Sequence, residues 1–141
     1  MRNNLDKELE IVKAEVQDYN FKNFESTVVQ LDDKYYIGIN KNLSELDRFW
    51  ILEHELEHIK NHTLYNPDDD NFTINQTERI TNDAMILKLG LPAEVYKLLK
   101  AGLNKDEIMS RMKITESVFD YTYTFIIRNY LKFMGGNKNE K

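Results

Sequence analysis

The chain has 141 residues, of which 41% are hydrophobic and 30% are charged, so we expect one globular domain rather than a disordered chain. A formal net charge of −5 disfavours duplex nucleic acid as the main ligand, and the lack of cysteine excludes disulfide bonds and thiolate metal ligands. The N-terminus has no apolar signal segment and no run approaches the roughly 18 apolar residues of a membrane span, so we expect a cytoplasmic protein.

The first predicted elements are a helix and a β-hairpin. Apolar residues at helical spacing predict an amphipathic helix over residues 3–19. Two runs rich in Val, Ile, Tyr and Thr follow, at 25–31 and Lys34–Asn40, and Asp32-Asp33 between them indicates a turn. These runs predict a pair of antiparallel strands.

The rest of the chain is predicted to be mainly helical. Ser44 followed by Asp47 is a typical helix start, and the acidic, Asn-rich segment 65–75 is predicted to be a loop. Gly90 and Pro92 end the helix that follows this loop. The predicted helices cover residues 44–62, 76–89, 93–101, 105–112 and 115–133.

The most informative motif is His54-Glu55-Leu56-Glu57-His58, an HExxH pattern inside the 44–62 helix. Helical positions four apart differ by about 6 Å of rise and roughly 40° of rotation, so both imidazoles leave the same face. They can therefore bind one Zn²⁺, and Glu55 can take a proton from the water that the metal activates. The motif predicts a zinc hydrolase, and a peptidase in particular, with one Zn²⁺ per chain.

A third metal ligand has to come from elsewhere in the chain. His62 lies about 12 Å along a continuous helix from His54, which is too far for one ion. Glu78, on the following helix, is the preferred third ligand, although an acid near a helix N-terminus is also favoured by the helix dipole. Asn82, one turn later, can brace a ligating histidine.

These features resemble the ImmA/IrrE family of bacterial metallo-endopeptidases, over roughly residues 34–131. The similarity comprises a strand ending in Ile39-Asn40, the HExxH helix with a further histidine at position 62, and a second helix whose motif reads from Glu78 and leads to Leu91-Pro92. This chain departs from the family pattern in having Glu57 in place of glycine and Thr81 in place of alanine.

The resemblance implies a set of roles. His54, His58 and Glu78 would bind zinc, and Glu55 would be the catalytic base. It also implies cleavage of a specific protein partner, a helix-turn-helix repressor of a phage or mobile element.

The fold expected from these features is α+β, a mainly helical zincin-like domain with a small antiparallel β-hairpin or sheet and a helical C-terminal part. We expect a single domain over residues 1–134, followed by a polar tail at 135–141. Its expected parts are an N-terminal helix at 1–20, a zincin core at 21–92 and helix-turn-helix-like C-terminal helices at 93–134.

Two further features of the site are predicted from general zinc-peptidase chemistry. The oxyanion that forms during hydrolysis needs a donor besides the metal, for which Tyr65, His62 and Tyr36 are candidates. Extended substrates pair with an edge strand, and the strand that precedes the HExxH helix is the expected one. Its predicted substrate-binding residues are Tyr35, Tyr36, Ile37, Gly38 and Ile39.

Two alternative functions remain open at this stage. Residues 104–112 and 115–133 can form a helix-turn-helix, but the second helix begins with Glu116 and Asp120 and has no cation before Arg128. We therefore expect no direct contact with nucleic acid, and none with membrane. The other alternative is a catalytically weak or inactive protein-binding module that zinc stabilises.

Overall fold

Six helices and three strands lie within residues 2–66 and 68–130, which are the residues that the computed structural model describes. In chain order they are α1 (Arg2–Ile11), β1 (Ala14–Tyr19), β2 (Ser26–Leu31), β3 (Lys34–Asn40), α2 (Glu45–Lys60), α3 (Asn71–Lys88), α4 (Leu91–Lys100), α5 (Lys105–Met112) and α6 (Glu116–Arg128). This order confirms a mainly helical α+β fold. The chain divides into two compact units, residues 1–81 and 82–141, so the boundary falls inside α3.

The sheet of the first unit has the strand order β1-β3-β2. β2 and β3 form the predicted hairpin, in which Leu31 lies opposite Lys34 and Asp32 adopts a φ of 58° in the turn. β1 pairs with β3 in parallel, with Val16 opposite Ile37. The sheet is therefore mixed rather than antiparallel.

The central position of β3 overturns one prediction. Both sides of β3 are hydrogen-bonded, to β1 and to β2, so β3 has no free edge that could pair with a substrate. The edge-strand assignment is wrong for all of its residues, which are Tyr35, Tyr36, Ile37, Gly38 and Ile39.

The predicted helix over residues 3–19 is correct only in its first half. α1 ends at Ile11, Lys13 adopts a φ of 61°, and β1 begins at Ala14. Val12 and Val16 are four residues apart, a spacing that fits the period of two in a strand as well as the helical period. Parallel pairing with β3 decides between the two, and a β-branched Val16 suits a strand.

One face of the sheet packs against α1 and α2, and this packing forms the core of the first unit. The buried residues of the core are Leu5, Leu9, Ile37, Ile39, Leu52, Leu56 and Ile59. Since side chains alternate along a strand, Tyr36 and Gly38 lie on the opposite face of β3. A Cβ on Gly38 would lie only 3.1 Å from Tyr19 and 3.2 Å from Phe21, so aromatic rings pack closely there.

Helix α2 begins and ends with well-defined caps. At the start, the Asp47 backbone N–H donates to the Ser44 side chain at 3.1 Å, which confirms the predicted N-cap. At the end, the backbone N–H groups of His62 and Thr63 donate to the carbonyl groups of Ile59 and His58, at 3.3 and 2.9 Å. These two bonds form a Schellman motif, with His62 at a φ of 54°. The motif reverses the chain and turns Thr63 back towards His58.

Helix α3 begins at Asn71, rather than near Gln76 as predicted. The Thr73 backbone N–H donates to the Asp70 carboxylate at 2.7 Å, so Asp70 caps the helix. This hydrogen bond lowers the pKa of Asp70. Position 67 of the predicted 65–75 loop lies outside the described residues.

The second unit contains the C-terminal helices at their predicted places. Gly90, at a φ of 69°, precedes α4, and Asn104 and Glu107 form a capping box at the start of α5. Thr115 caps α6. Predicted helical residues 131–133 and the polar tail at 135–141 lie outside the described residues. None of the described helices is both long enough and apolar enough to span a membrane.

Candidate metal centre

The two histidines of the HExxH motif lie on one face of α2, as their spacing predicts. Their ring centroids are 4.6 Å apart, with the ring planes at 85° to each other. Both Nε2 atoms approach the Glu78 carboxylate, His54 at 3.0 Å from Oε1 and His58 at 3.0 Å from Oε2. The structure therefore brings together the three predicted metal ligands.

Glu78 lies about two turns inside α3, because this helix begins earlier than predicted. The dipole at the helix N-terminus acts mainly within the first turn, so it does not account for a carboxylate at this position. Burial acts to raise the pKa of Glu78, but hydrogen bonds and positive charge from His54 and His58 outweigh burial and hold this pKa well below its usual value. Glu78 is thus a carboxylate in its ionised form, which is the form that binds metals.

The three side chains fit a zinc ion by geometry and by chemistry. One ligand atom from each of His54, His58 and Glu78 lies within 4.8 Å of the others. Two ligand atoms bound to one tetrahedral Zn²⁺ at about 2.0–2.1 Å lie about 3.3 Å apart. Each histidine Nε2 lies 3.0 Å from one of the two Glu78 oxygens, which is close to that spacing. Two imidazoles and one carboxylate form the donor set of many catalytic zinc sites, which leave a fourth position for water or substrate.

Two threonines contact His58 Nδ1, the ring nitrogen on the side away from Glu78, and no sequence pattern indicated these contacts. Its Nδ1 lies 2.9 Å from Thr63 Oγ1, 3.1 Å from the Thr63 carbonyl oxygen and 3.2 Å from Thr81 Oγ1. The predicted brace was Asn82, but Asn82 Oδ1 accepts no hydrogen bond from any residue in the described part of the chain. Asn82 therefore does not act as an acceptor for a histidine N–H here, and Thr81, the preceding residue, takes this role.

Glu55, the predicted catalytic base, is 9% exposed and contacts the sheet. The Ser26 hydroxyl at the start of β2 donates to Glu55 Oε2 at 2.5 Å. Ser26 lies opposite Ile39, so its side chain is on the face of the sheet that packs against α2. This contact orients the Glu55 carboxylate, and no sequence pattern pointed to Ser26.

The three candidate oxyanion donors differ in position. Tyr65 lies near the carboxylates of Glu78 and Glu55, and its ring centroid is 6.0 Å from that of His58. Burial, together with the negative charges of Glu78 and Glu55, raises the pKa of Tyr65 to about 12. Tyr65 therefore lies at the candidate site as a protonated phenol.

The other two candidates are poorly placed. Tyr36 lies on the face of the sheet opposite α2, so its selection as an oxyanion donor was wrong. His62 is an exposed residue in the turn that ends α2, and its ring is not part of the convergent cluster found among the described residues.

Glu57, the acid that replaces glycine in the motif, is not one of the three converging side chains. It is 3% exposed, and its carboxylate accepts a hydrogen bond from the Asn61 side chain at 3.1 Å and lies 3.8 Å from Lys60 Nζ. These contacts at the end of α2 satisfy the charge of Glu57 within the helix itself.

The family model described as the IrrE N-terminal-like domain (Peptidase_M78) matches residues 9–124. The chain belongs to this family. Membership implies a zinc metallopeptidase-type fold for this IrrE-like chain, and the matched range includes every ligand of the candidate metal centre. No curated protein and no solved structure gives a significant match.

Proposed function

We propose that this IrrE-like chain is a zinc-dependent endopeptidase that hydrolyses a peptide bond in a specific protein partner. The observation that carries the proposal is the convergence of His54, His58 and Glu78, with Glu55 directly after the first histidine on the same helix. In a metallopeptidase family this arrangement supplies both a metal centre and a base beside it.

The residues around the centre divide the chemistry between them. A zinc ion held by the two histidines and Glu78 would supply Lewis-acid activation of the scissile carbonyl and of the attacking water. Glu55 accepts the proton of that water and then delivers it to the leaving amine. Since the Ser26 hydroxyl donates to Glu55 Oε2, the other carboxylate oxygen, Oε1, is the one that accepts the proton.

Tyr65 is the proposed second donor for the developing oxyanion. Its position beside Glu78 and His58 places a neutral hydroxyl group at the metal centre. Burial and the negative charges of Glu78 and Glu55 raise the pKa of Tyr65 to about 12, which favours the protonated form that can donate a hydrogen bond. A donor fixed in this way stabilises the negative charge that forms on the carbonyl oxygen.

The proposed path of the substrate follows β2 rather than β3. Within the described residues β2 pairs only with β3, so its other edge is free to accept an extended peptide. Ser26, the first residue of β2, contacts the proposed base Glu55. A peptide added to this edge would thus run to the site of proton transfer.

The proposed protein partner is a helix-turn-helix repressor of a phage or mobile element, as the resemblance to the ImmA/IrrE family implies. The charges at the start of α6 disfavour DNA as a ligand of the second unit. Glu116 and Asp120, at the start of α6, lie 2.8 and 3.2 Å from Lys105 Nζ. The charge of Lys105 is thus engaged by these two acids, and an acidic helix start repels phosphate.

The proposal is tested by incubating the purified, zinc-loaded protein with helix-turn-helix repressors encoded beside its gene and following cleavage by mass spectrometry. The native protein should cut one repressor at one position. Glu55→Gln should keep its zinc and lose cleavage, because the amide has no basic oxygen to accept the proton. Glu10→Gln, on the exposed surface of α1, is the matched control and should cleave as the native protein does.

Two results would contradict the proposal. Native-rate cleavage by Glu55→Gln would show that Glu55 is not the base. A native protein that binds both zinc and a repressor but never cleaves it would instead be a zinc-stabilised binding module.

A further inference from the structure

Oxygen atoms of two threonines surround Nδ1 of His58, the ring nitrogen that faces away from Glu78. Thr81 is fully buried and His58 is 3% exposed, so water does not compete at this contact. Around His58 Nδ1 lie Thr63 Oγ1, the Thr63 carbonyl oxygen and Thr81 Oγ1, at 2.9, 3.1 and 3.2 Å. The question is whether these oxygens accept a proton from Nδ1 or donate one to it.

The other hydrogen-bond partners of Thr81 and Thr63 determine which hydroxyl group donates and which accepts. Thr81 Oγ1 donates to the Thr77 carbonyl oxygen at 2.8 Å, and a carbonyl can only accept. Thr81 has then used its single proton, so it accepts in its 2.6 Å contact with Thr63 Oγ1, and Thr63 donates. The other acceptor near the Thr63 hydroxyl is the His58 carbonyl oxygen, which is farther away at 3.4 Å. Neither hydroxyl retains a proton for His58.

The same conclusion follows from the third oxygen, since the Thr63 carbonyl also accepts only. All three oxygens around Nδ1 are therefore acceptors, and Nδ1 must carry the proton. With Nδ1 protonated, Nε2 is the nitrogen left to bind a metal ion; without a metal, Nε2 donates to the ionised Glu78 carboxylate at 3.0 Å. Nε2 is the nitrogen that faces Glu78 and the candidate metal position.

We propose that Thr81 and Thr63 are positioning residues that fix the tautomer and the ring orientation of His58, so that its Nε2 lone pair points at the metal. The chain of hydrogen bonds runs from Thr63 to Thr81 to the Thr77 carbonyl, and its direction is set by the backbone of α3. This inference rests on the proposed function of the site, since it describes how one of its ligands is prepared.

The Schellman motif at the end of α2 makes the arrangement possible. Thr63 follows His62, whose positive φ turns the chain back, and the Thr63 backbone N–H bonds to the His58 carbonyl group. Thr63 is thus tied to His58 through its backbone and reaches the imidazole with its side chain. Glu78 and Thr81 are three residues apart on α3, so this helix supplies both a ligand and a brace.

The test compares Thr81→Val with Thr81→Ser and Thr77→Val by measuring zinc affinity in competition with a chelator. Valine removes the hydroxyl with little change in volume, whereas serine keeps it. Thr77→Val is the matched control, because the Thr77 hydroxyl shares its proton between the carbonyl groups of Thr73 and Ile74. Among the described residues, the hydrogen-bond partners of His58 Nδ1 are Thr63 and Thr81 rather than Thr77. We expect Thr81→Val to bind zinc about 10- to 100-fold more weakly, as is usual when the partner of a ligating histidine is lost. The other two variants should bind within about threefold of the native protein.

A second measurement keeps the inference testable if Thr81→Val does not fold. Nitrogen-15 NMR of the histidine rings in the native protein reports which nitrogen carries a proton, and we expect a protonated Nδ1 on His58 with or without zinc. An unprotonated Nδ1, or a Thr81→Val protein that folds and binds zinc as tightly as the native one, would overturn the inference. A native protein that binds no zinc but has a protonated Nδ1 would refute the proposed metal site and leave the hydrogen-bond chain intact.

Discussion

Replacing Tyr65 by phenylalanine removes one hydroxyl group from the candidate site and leaves the ring that packs beside His58. The proposed role of this hydroxyl is to donate to the oxyanion in the transition state. An interaction made only in the transition state affects kcat, so we expect kcat to fall while KM stays close to its native value.

The size of the effect follows from the environment of the hydroxyl. Loss of one preorganised oxyanion donor typically lowers kcat by about 10²- to 10³-fold. Tyr65 is 37% exposed, and water can replace part of what the hydroxyl supplies, so we expect the lower end of this range, about 100-fold. Its pKa, raised to about 12, means that the phenol keeps its proton below that pH. In the zinc-free protein Tyr65 should therefore stay protonated up to about pH 10, which a spectroscopic titration with Tyr65→Phe as reference would check.

The assay is the rate of cleavage of the cognate repressor at saturating and at limiting substrate, with zinc content measured in the same samples. Tyr36→Phe is the matched control, since Tyr36 lies on the face of the sheet away from α2 and its loss should leave kcat unchanged. A Tyr65→Phe enzyme with native kcat, or an equal loss in both variants, would refute the assignment of Tyr65. Loss of zinc in Tyr65→Phe would show a role in metal binding instead.

Three further predictions concern contacts elsewhere in the structure. Ser26→Ala should keep its zinc and lower kcat about tenfold or more in the same cleavage assay, because the Glu55 carboxylate loses the contact that orients it for proton transfer; native kcat would contradict it. Leu56→Ala should lower the free energy of unfolding of the zinc-free protein by about 2–5 kcal/mol, because Leu56 is completely buried. The control Leu46→Ala, at an exposed position, should change this free energy by less than about 0.5 kcal/mol, and urea denaturation measures both. Asn104→Ala should destabilise α5 by about 1 kcal/mol through loss of the capping box, and unchanged thermal and urea unfolding would argue against this cap.

The metal centre was predictable because its geometry is largely local. Two histidines four residues apart on a helix share a face wherever that helix lies in the fold, so His54 and His58 come together by helical geometry alone. Glu78 was predicted as the third ligand because a carboxylate completes a His₂Glu site, although its position within α3 was not predicted correctly. Its helix begins a turn earlier than expected, because Asp70 caps it within a segment whose polar composition resembles a loop.

The supporting contacts were not predictable from local patterns. Thr63 contacts His58 only because the chain reverses at His62, a non-glycine residue with a positive φ that sequence rules do not lead one to expect. Ser26 contacts Glu55 through the pairing of β2 with β3, which is a non-local arrangement. In each case the residue is a serine or threonine, a type that is common on protein surfaces, so its presence in the sequence does not indicate a contact with the site.

The strand errors have a related cause. The periods of helix and strand coincide at a spacing of four residues, so Val12 and Val16 could not distinguish the end of α1 from β1. The hairpin was correctly predicted from its turn, but a hairpin does not reveal which of its strands is central. Parallel pairing with β1 covers β3 and leaves β2 at the edge.

The most direct test of the account is the zinc content of the native protein and of Glu78→Gln, with Glu10→Gln as control, each offered zinc and then freed of excess metal. Elemental analysis should find about one zinc per chain in the native protein and in the control, and zinc lost or greatly weakened in Glu78→Gln, because a neutral amide is a poor zinc ligand. A native protein that retains no zinc, or a Glu78→Gln protein that retains as much as the native one, would contradict the proposal that His54, His58 and Glu78 form a catalytic zinc site.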